Sequence, residues 1–268
     1  MLVNKDDNAL PHGDIWRSAI TASDEGRVWY RGYDVGALMQ SRSFADVVFL
    51  LHHGELPTRA VGRLINAILV AGADYGADSP SAAAARIVAS GNRRGIESAI
   101  AAGVLSVGDT YGGAGVECLE MIAHGVGLVQ REALSIDDVA ARIVAEMQQA
   151  GRRLPGLGLR VQKTEPRAAT LFQMAADARV AGNGVAFMRA LERQARERIA
   201  NLPINMDGAI AAVLFDLGFP PLFAKSIFIV AHVAGLSAQV MEEYAREQSL
   251  RIKIPVEYDG PKPRALTK

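Results

Sequence analysis

Apolar residues recur every three or four positions along most of this chain, and this spacing places them on one face of an α-helix. After Pro57 and Thr58, for example, apolar side chains stand at positions 61, 64, 65, 68 and 69. Runs in which apolar and polar residues alternate are few, and the chain has no internal repeat of about 20–50 residues. The pattern therefore predicts an all-α protein.

Turn and capping residues set the predicted ends of the helices. Ser43 and Ser135 are typical N-caps, and Gly54 is typical of a helix end. The predicted helices cover residues 34–41, 44–53, 57 to the turn at 74–76, 80–90, 95–107, a segment that ends at 129, 137–150, 167–181 and 184–200. The apolar region 209–241 predicts one buried helix that breaks at Gly218, followed by two more that reach about residue 248. Residues 1–30 are expected to be irregular or briefly extended, and the tail from residue 254 is expected to be extended and stiffened by its prolines.

Composition and charge limit the classes of function. The 268 residues suffice for one large domain or two modest ones, and 29 basic residues balance 29 acidic residues. A net charge of zero does not indicate a nucleic-acid partner and leaves little repulsion against self-association. Cys118 is the only cysteine, which excludes an internal disulfide and a cysteine metal cluster. With a polar N-terminus and an apolar region interrupted by Asp216 and Lys225, we expect a cytoplasmic protein without a membrane partner.

The pair His52 and His53 is the first candidate for a metal site. Adjacent residues point about 100° apart on a helix, so the two imidazoles make a poor chelate. No carboxylate stands at ligand spacing from them either. We therefore predict structural histidines and no metal site.

The segment 154–167 is the strongest candidate for a ligand site. Gly156 and Gly158 permit a tight backbone turn, and Arg160, Lys163 and Arg167 then gather positive charge beside a predicted helix start. Because a helix N-terminus attracts anions, the segment favours a phosphorylated or carboxylated ligand. The alternative is an ordinary loop with solvated cations.

Ordered motifs along the whole chain carry a family resemblance. They are Tyr30-Arg31-Gly32-Tyr33 (YRGY in the family), Gly54-Glu55-Leu56-Pro57-Thr58 (GELPT), Asp74-Tyr75-Gly76 (DHG), Tyr111-Gly112-Gly113-Ala114 (HGGA), Gly156-Leu157-Gly158-Leu159 (GxGH), Glu165-Pro166-Arg167 (DPR), Asn205-Met206-Asp207 (NVD) and Ala231-His232-Val233-Ala234-Gly235 (ARxxG). In these motifs the chain resembles the citrate synthase superfamily, in particular its short members, the citryl-CoA lyases. The resemblance implies an all-α fold with a large helical domain, residues 1–110 and 208–268, and a smaller inserted helical domain, residues 111–207. It also implies a homodimer with the site near the subunit interface.

The resemblance implies roles for the site residues, and several of them are substituted. In the family, the NVD aspartate moves the methyl proton of the thioester, and the HGGA histidine hydrogen-bonds the thioester carbonyl. The GxGH histidine serves the ketone or alkoxide oxygen, while the DHG histidine and arginines hold a dicarboxylate. This chain keeps Asp207 and Arg167 but has Tyr111, Tyr75, Leu159 and His232 at the positions of the three histidines and one arginine.

These substitutions affect the two ends of the implied site differently. A carboxylate removes a proton next to a thioester only if the developing enolate is stabilised, and a tyrosine such as Tyr111 can be the donor. Leu159 has no donor, acceptor or proton for a carbonyl or an alkoxide. Alternative interpretations are that Tyr75 and Tyr111 only pack, and that Asp207 is a helix N-cap.

Three hypotheses on function follow. The first is an enzyme that makes or breaks a carbon–carbon bond next to a CoA thioester, with a carbonyl or hydroxy-acid partner less polar than oxaloacetate. The second is a CoA-thioester binder or regulatory paralogue with little or no turnover, and the third is an unrelated small-ligand activity in the same cleft. For the first, we expect Asp207, Tyr111 and Tyr75 to be catalytic and Arg167, His232 and Leu159 to contact the second substrate. Gly156, Gly158, Arg160 and Lys163 are expected to bind CoA, which enters as a thioester substrate and not as a tightly bound cofactor.

Overall fold

The computed structural model describes residues 17–109, 111–159 and 165–265. In these ranges the chain forms eleven α-helices and a three-stranded antiparallel sheet, which confirms the all-α class. The strands are β1 (Thr21–Asp24), β2 (Arg27–Tyr30) and β3 (Tyr33–Asp34). The helices are α1 (Val35–Ser41), α2 (Phe44–His53), α3 (Arg59–Ala71), α4 (Pro80–Gly91), α5 (Ile96–Leu105), α6 (Ala114–Glu132), α7 (Ile136–Gln149), α8 (Pro166–Asp177), α9 (Asn183–Arg198), α10 (Met206–Asp216) and α11 (Leu222–Arg246).

Local capping signals set most helix ends where the sequence predicts them. Ser43 forms a capping box with Asp46 at the start of α2, and Gly54 ends that helix with φ 96°. Ser135 caps α7 by accepting a hydrogen bond from the Asp138 N–H. Thr58 caps α3 in the same way. These ends were predictable because each depends on residues within one turn of the chain.

One prediction of local structure is wrong, and one feature was not predicted. The C-terminal apolar region forms one helix of 25 residues, α11, and not two shorter ones. Gly235 lies inside it, and the packing of the helix outweighs the roughly 1 kcal/mol by which an interior glycine disfavours a helix. The strands β1 and β2 lie in the segment that was expected to be irregular or extended, but their pairing with β3 was not predicted, because the side chains are mostly exposed and carry no alternating pattern.

Contacts between residues divide the chain into two compact units. The first contains the described residues up to Asp74 and those from Val107 to His232, and the second contains the remainder. The boundaries differ from those of the two domains predicted from the family resemblance. The predicted division, 1–110 with 208–268 and 111–207, therefore stays a prediction.

The core of the first unit is built around α10. Eight of its eleven residues are buried, and the helix packs against α6, α8 and α9. Four of the buried residues are Gly208, Ala209, Ala211 and Ala212, whose small side chains let the neighbouring helices approach. At the far end of α10, the Asp216 carboxylate accepts the N–H groups of Gly182, Gly184 and Val185 and so caps α9.

The second unit has its own small core and a buried ion cluster. Ala85, Ala89, Ala99, Leu236 and Val240 form the core, to which α4, α5 and α11 contribute. Beside it the fully buried Glu243 carboxylate pairs with Arg86 at 3.0 Å and with Arg251 at 2.6 Å. The hydrogen bond from Arg251 lowers the pKa of Glu243, so this carboxyl stays ionised in its buried position.

Among the described residues, α11 is long and apolar enough to cross a membrane by length and composition alone. Half of its most apolar stretch is buried inside the structure. A core helix of a water-soluble protein meets the same two criteria, so the feature is weak evidence for a membrane span.

Candidate active site

A small pocket in the first unit has one of the predicted site residues, Asp207, in its lining. Its walls include Ile68, Ile210, Ala224, Ile227, Phe228 and Ala231. Gly72, at the end of α3, and Gly112, before α6, also line it. Among the described residues that line the pocket, Asp207 alone is charged. A single carboxyl group therefore faces a largely apolar space.

Asp207 is held in the first turn of α10. The N-cap of this helix is Asn205, whose side-chain oxygen accepts the N–H of Gly208 at 3.0 Å. The interpretation of Asp207 as the N-cap is thus wrong, because Asn205 already fills that role. Burial raises the pKa of the Asp207 carboxyl, with Arg167 opposing the shift and Glu165 adding to it. A carboxyl with a raised pKa binds protons more strongly than an ordinary aspartate, which suits a general base.

The Gly156–Gly158 turn holds the start of α10 in place. The Gly158 N–H donates to the Pro203 carbonyl at 2.8 Å, and the Asn205 N–H donates to the Gly156 carbonyl at 3.0 Å. The Asn205 side-chain amide also donates to the Gly158 carbonyl at 3.1 Å. Both glycines have positive φ, 78° and 84°, which side chains disfavour. The turn thus positions the helix that carries Asp207, whether or not it also contacts CoA.

Gly208→Ala is expected to lower the free energy of unfolding by about 3 kcal/mol, at the upper end of the overpacking range. An added Cβ would meet the Gly156 carbonyl oxygen, which belongs to the backbone, and would lie 2.9 Å from Met188 Cε. Denaturant unfolding measures the change. Gly127→Ala is the control, since its Cβ would meet only the flexible guanidinium of Arg131. Equal stability of the two variants would contradict the prediction.

Arg167 lies at the start of α8 and is bound to Glu165 of the same chain. Its Nε and Nη2 donate to the two carboxylate oxygens of Glu165 at 2.8 and 2.7 Å, and its Nη1 donates to the Ala71 carbonyl at 3.3 Å. The Glu165 side chain is 4 % exposed and that of Arg167 is 44 % exposed. The hydrogen bonds from Arg167 lower the pKa of Glu165, so both partners are charged.

Tyr111 lies in the glycine turn before α6 and packs against α11. Its ring meets that of Phe228 edge-on, with centroids 6.2 Å apart. Gly112 has φ 75°, and a Cβ there would lie 2.5 Å from the Phe228 ring and 2.8 Å from Val107. The turn therefore needs glycine at this position to bring Tyr111 and Phe228 together beside the pocket.

His232 is 1 % exposed and also lies beside Phe228, with ring centroids 5.2 Å apart. Burial lowers the pKa of His232, although Asp74 and the backbone carbonyls of Ala73 and Gly72 oppose the shift. The imidazole is therefore mostly neutral at pH 7. It does not supply the positive charge that an arginine would supply at this position.

Of the predicted site residues that the structure describes, only Asp207 lines the pocket, and Leu159 and Tyr75 lie elsewhere. Leu159 is partly buried next to the Gly156–Gly158 turn, and Tyr75 is half-buried at the first position of the second unit. Arg160 and Lys163 lie outside the described residues, so their predicted role stays a prediction.

Two residues important to the geometry of the site were not predicted from the sequence. Phe228 lines the pocket and contacts both Tyr111 and His232, but its sequence signal is that of any apolar helix residue. Glu165 was noted only as part of a motif, and its pairing with Arg167 could have been inferred from their two-residue spacing at a helix start.

His52 and His53 lie against aromatic rings. His53 stacks on Phe49 with centroids 4.6 Å apart, and His52 lies 4.7 Å from the ring of Phe223. Among the described residues, no group of three or more histidine, cysteine, aspartate or glutamate side chains is placed to hold a metal ion.

Comparisons with known proteins relate this architecture to one family. The model of the family described as "Citrate synthase, C-terminal domain" matches residues 14–62 and 57–253. Among solved structures, the citryl-CoA lyase from Hydrogenobacter thermophilus is 34% identical, with a TM-score of 0.85 over 95% of this chain and 98% of that chain. The ATP citrate lyase from Methanothrix soehngenii, in complex with citrate and coenzyme A, is 18% identical, with a TM-score of 0.77 over 94% of this chain and 43% of that chain. Citrate synthase from Thermotoga maritima is 18% identical, with a TM-score of 0.58 over 97% and 98% of the two chains, so the last two show the fold alone. A search of curated protein sequences finds no match.

Proposed function

Since the chain belongs to the citrate synthase family, we propose that it makes or breaks a carbon–carbon bond next to a CoA thioester, with an acceptor other than oxaloacetate. The coarser statement, a citrate synthase-like or citryl-CoA lyase-like enzyme, follows from the family and from the 34% identical citryl-CoA lyase. The acceptor and the roles of the substituted residues are the proposed part.

The observation that carries the proposal is the position of Asp207. Its carboxyl lines an apolar pocket at the start of a buried helix, and burial raises its pKa. A base in this setting is suited to removing a weakly acidic proton, such as that of a thioester methyl group. Tyr111, in the neighbouring glycine turn, is the candidate donor to the thioester oxygen, where negative charge develops.

The proposed reaction is balanced without a further cofactor. In the synthetic direction, Asp207 takes a methyl proton, and the resulting enolate carbon forms a bond to the carbonyl carbon of the acceptor. The carbonyl electron pair moves to its oxygen, which takes a proton from water. The hydroxide that remains takes the methyl proton from Asp207, and the product is a 3-hydroxyacyl-CoA. Cleavage is the reverse: the hydroxyl loses its proton, the carbon–carbon bond breaks, and Asp207 returns a proton to the enolate.

Deuterium exchange tests the first step without knowledge of the acceptor. Acetyl-CoA is incubated with the protein in heavy water, and mass spectrometry measures deuterium in the methyl group. We expect incorporation above the rate without protein. Absence of protein-dependent incorporation would contradict the proposal.

We further propose that CoA binds along residues 154–163, with Arg160 and Lys163 near its phosphates. Two cations that follow a glycine turn suit a phosphorylated ligand. The double variant Arg160→Ala with Lys163→Ala is expected to weaken CoA binding by roughly ten- to a hundredfold, since charged hydrogen bonds contribute about 1.5–3 kcal/mol each and part of the effect is screened. Calorimetry measures the dissociation constant. Arg196→Ala with Arg198→Ala is a control pair of cations on α9, and an equal effect of both pairs would remove the loop from the proposed site.

A homodimer is the proposed assembly. The net charge of zero gives little repulsion between copies, and large apolar side chains such as Met39, Phe44 and Leu105 are 80%, 71% and 84% exposed. Light scattering at micromolar concentration is expected to give twice the mass of one chain, 28.6 kDa. A mass of one chain would contradict the proposal.

A CoA-thioester-binding or regulatory paralogue is the second candidate. Two observations favour it. Leu159 stands at the position where the family has a histidine, and the Nε and Nη2 groups of Arg167 already donate to the Glu165 carboxylate. A paralogue of this kind would bind acetyl-CoA but would leave its methyl protons unexchanged, so the deuterium measurement distinguishes the two candidates.

A further inference from the structure

The side of Arg167 that would bind a substrate carboxylate is occupied by the chain itself. Nε and Nη2 form the two parallel hydrogen bonds by which arginine recognises a carboxylate, and both go to Glu165. A third bond, from Nη1 to the Ala71 carbonyl, fixes the guanidinium plane. The Glu165 side chain is almost fully buried but that of Arg167 is 44 % exposed, so water and salt reach the pair from one side only.

The charges around the pocket disfavour an anionic acceptor. Arg167 and Glu165, which both act on the pKa of the Asp207 carboxyl, carry opposite charges that cancel, and Asp207 adds a negative charge when it is ionised. His232 is buried and mostly neutral, since burial lowers its pKa. Among these described groups, therefore, no net positive charge is available for the carboxylates of a dicarboxylic acid.

The pocket walls favour an apolar group. Because the proposed bond joins the thioester methyl carbon to the acceptor carbonyl carbon, the acceptor also lies next to the space that Asp207 faces. Ile68, Ile210, Ile227 and Phe228 line this space. A carboxylate placed against these side chains would lose its hydration without gaining hydrogen bonds, which strongly disfavours its binding. A small alkyl group would instead gain from burial against them.

We propose that the acceptor in synthesis, which is the carbonyl product in cleavage, is an uncharged aldehyde or ketone with an apolar substituent, and that Glu165 determines this specificity. This inference depends on the proposed carbon–carbon bond chemistry. Glu165 holds Arg167 as an internal ion pair, so a dicarboxylate meets a neutralised arginine. The CoA product is then a 3-hydroxyacyl thioester that carries an alkyl group where citryl-CoA carries carboxylates.

A series of four-carbon ketones tests the inference on the whole protein. Oxaloacetate has two negative charges, 2-oxobutanoate has one, and 2-butanone has none. Ligand-observed nuclear magnetic resonance, with CoA present at saturation, measures the dissociation constant of each. The wild-type protein is expected to bind 2-butanone at least tenfold more tightly than oxaloacetate, with 2-oxobutanoate between them. Binding of oxaloacetate as tight as that of 2-butanone, or binding of none of the three, would overturn the inference.

Glu165→Gln tests the residue directly. Glutamine keeps an oxygen that can cap α8 but cannot pair with both N–H groups of the guanidinium, so the arginine fork becomes available. The dissociation constant of oxaloacetate divided by that of 2-butanone is expected to fall by roughly ten- to a hundredfold. Glu146→Gln is the matched control, because it removes an exposed pair with Arg142 on α7, and its ratio should equal that of the wild type.

The possible results separate this inference from the proposed function. An unchanged ratio in a folded Glu165→Gln variant would overturn the role of Glu165. If that variant does not fold, as judged by circular dichroism, the wild-type ketone series decides alone. Absence of methyl exchange in the wild type would instead contradict the proposed function, whatever the order of ketone binding.

Discussion

Replacing Asp207 by asparagine is expected to lower the rate of deuterium incorporation into acetyl-CoA by about a hundred- to ten-thousandfold, the usual contribution of a general base. The asparagine has nearly the same shape, and the N-cap of α10 is provided by Asn205, so the helix keeps its start. Mass spectrometry of the recovered thioester measures the rate. The matched control is Asp137→Asn on α7, which removes an exposed ion pair with Arg193 of α9. This variant is expected to catalyse methyl exchange at the wild-type rate.

The pH dependence gives a second check on Asp207. Exchange requires the ionised carboxylate, so the rate is expected to rise with pH through the pKa of Asp207, which burial places above that of an ordinary aspartate. The contribution of Asp207 to the stability of the fold depends on pH in the opposite direction. Because the pKa is higher in the folded state, the contribution of Asp207 to stability is present below its unfolded pKa and is lost as the pH rises through its folded pKa. Asp207→Asn should therefore unfold at no lower temperature than the wild type at pH 7, and a less stable variant would mean that lost exchange reflects lost structure.

The conversion of oxaloacetate and acetyl-CoA to citrate, and the cleavage of citryl-CoA, are both expected to be slow. Leu159 cannot polarise a ketone or take a proton from an alkoxide, and losing one such group typically lowers a rate by about a hundred- to a thousandfold. His232 also lacks the two-pronged geometry with which arginine binds a carboxylate. Release of free CoA thiol measures synthesis, and mass spectrometry measures the disappearance of citryl-CoA.

The contradicting result is a turnover near that of a typical enzyme, about 10 per second. Such a rate would mean that another group polarises the ketone or takes the hydroxyl proton, which Leu159 cannot do. Methyl exchange that depends on Asp207, together with slow turnover of both substrates, is the expected combination. This combination would mean that slow turnover is caused by the acceptor end of the site and not by the thioester end.

The fold was largely predictable from the sequence because its signals are local. N-caps such as Ser43 and Ser135 and the helix end at Gly54 act within one turn of the chain. The continuity of α11 was not predictable in the same way, since Gly235 is a poor helix residue whose cost is offset by packing. The short strands before α1 have mostly exposed side chains and so lack the alternation by which strands are recognised.

The candidate site was predictable only in part, because motif order does not give distances between side chains. Asp207 and Tyr111 were found through their motifs. The contact of Phe228 with Tyr111 and His232 depends on how α11 packs, and no spacing in the sequence indicates it. Whether Arg167 binds its own chain or a substrate depends on the conformation of Glu165, which is a matter of side-chain geometry.

The placement of Asp207 on α10 has a consequence for local unfolding. The Gly156–Gly158 turn and Asn205 fix the start of this helix, and Asp216 at its end is hydrogen-bonded to the first turn of α9. A segment that is buried along its length and anchored at both ends opens only when the surrounding structure opens with it. Partial openings that leave the first unit folded therefore leave the carboxylate in place, and the base does not have to be repositioned for each turnover.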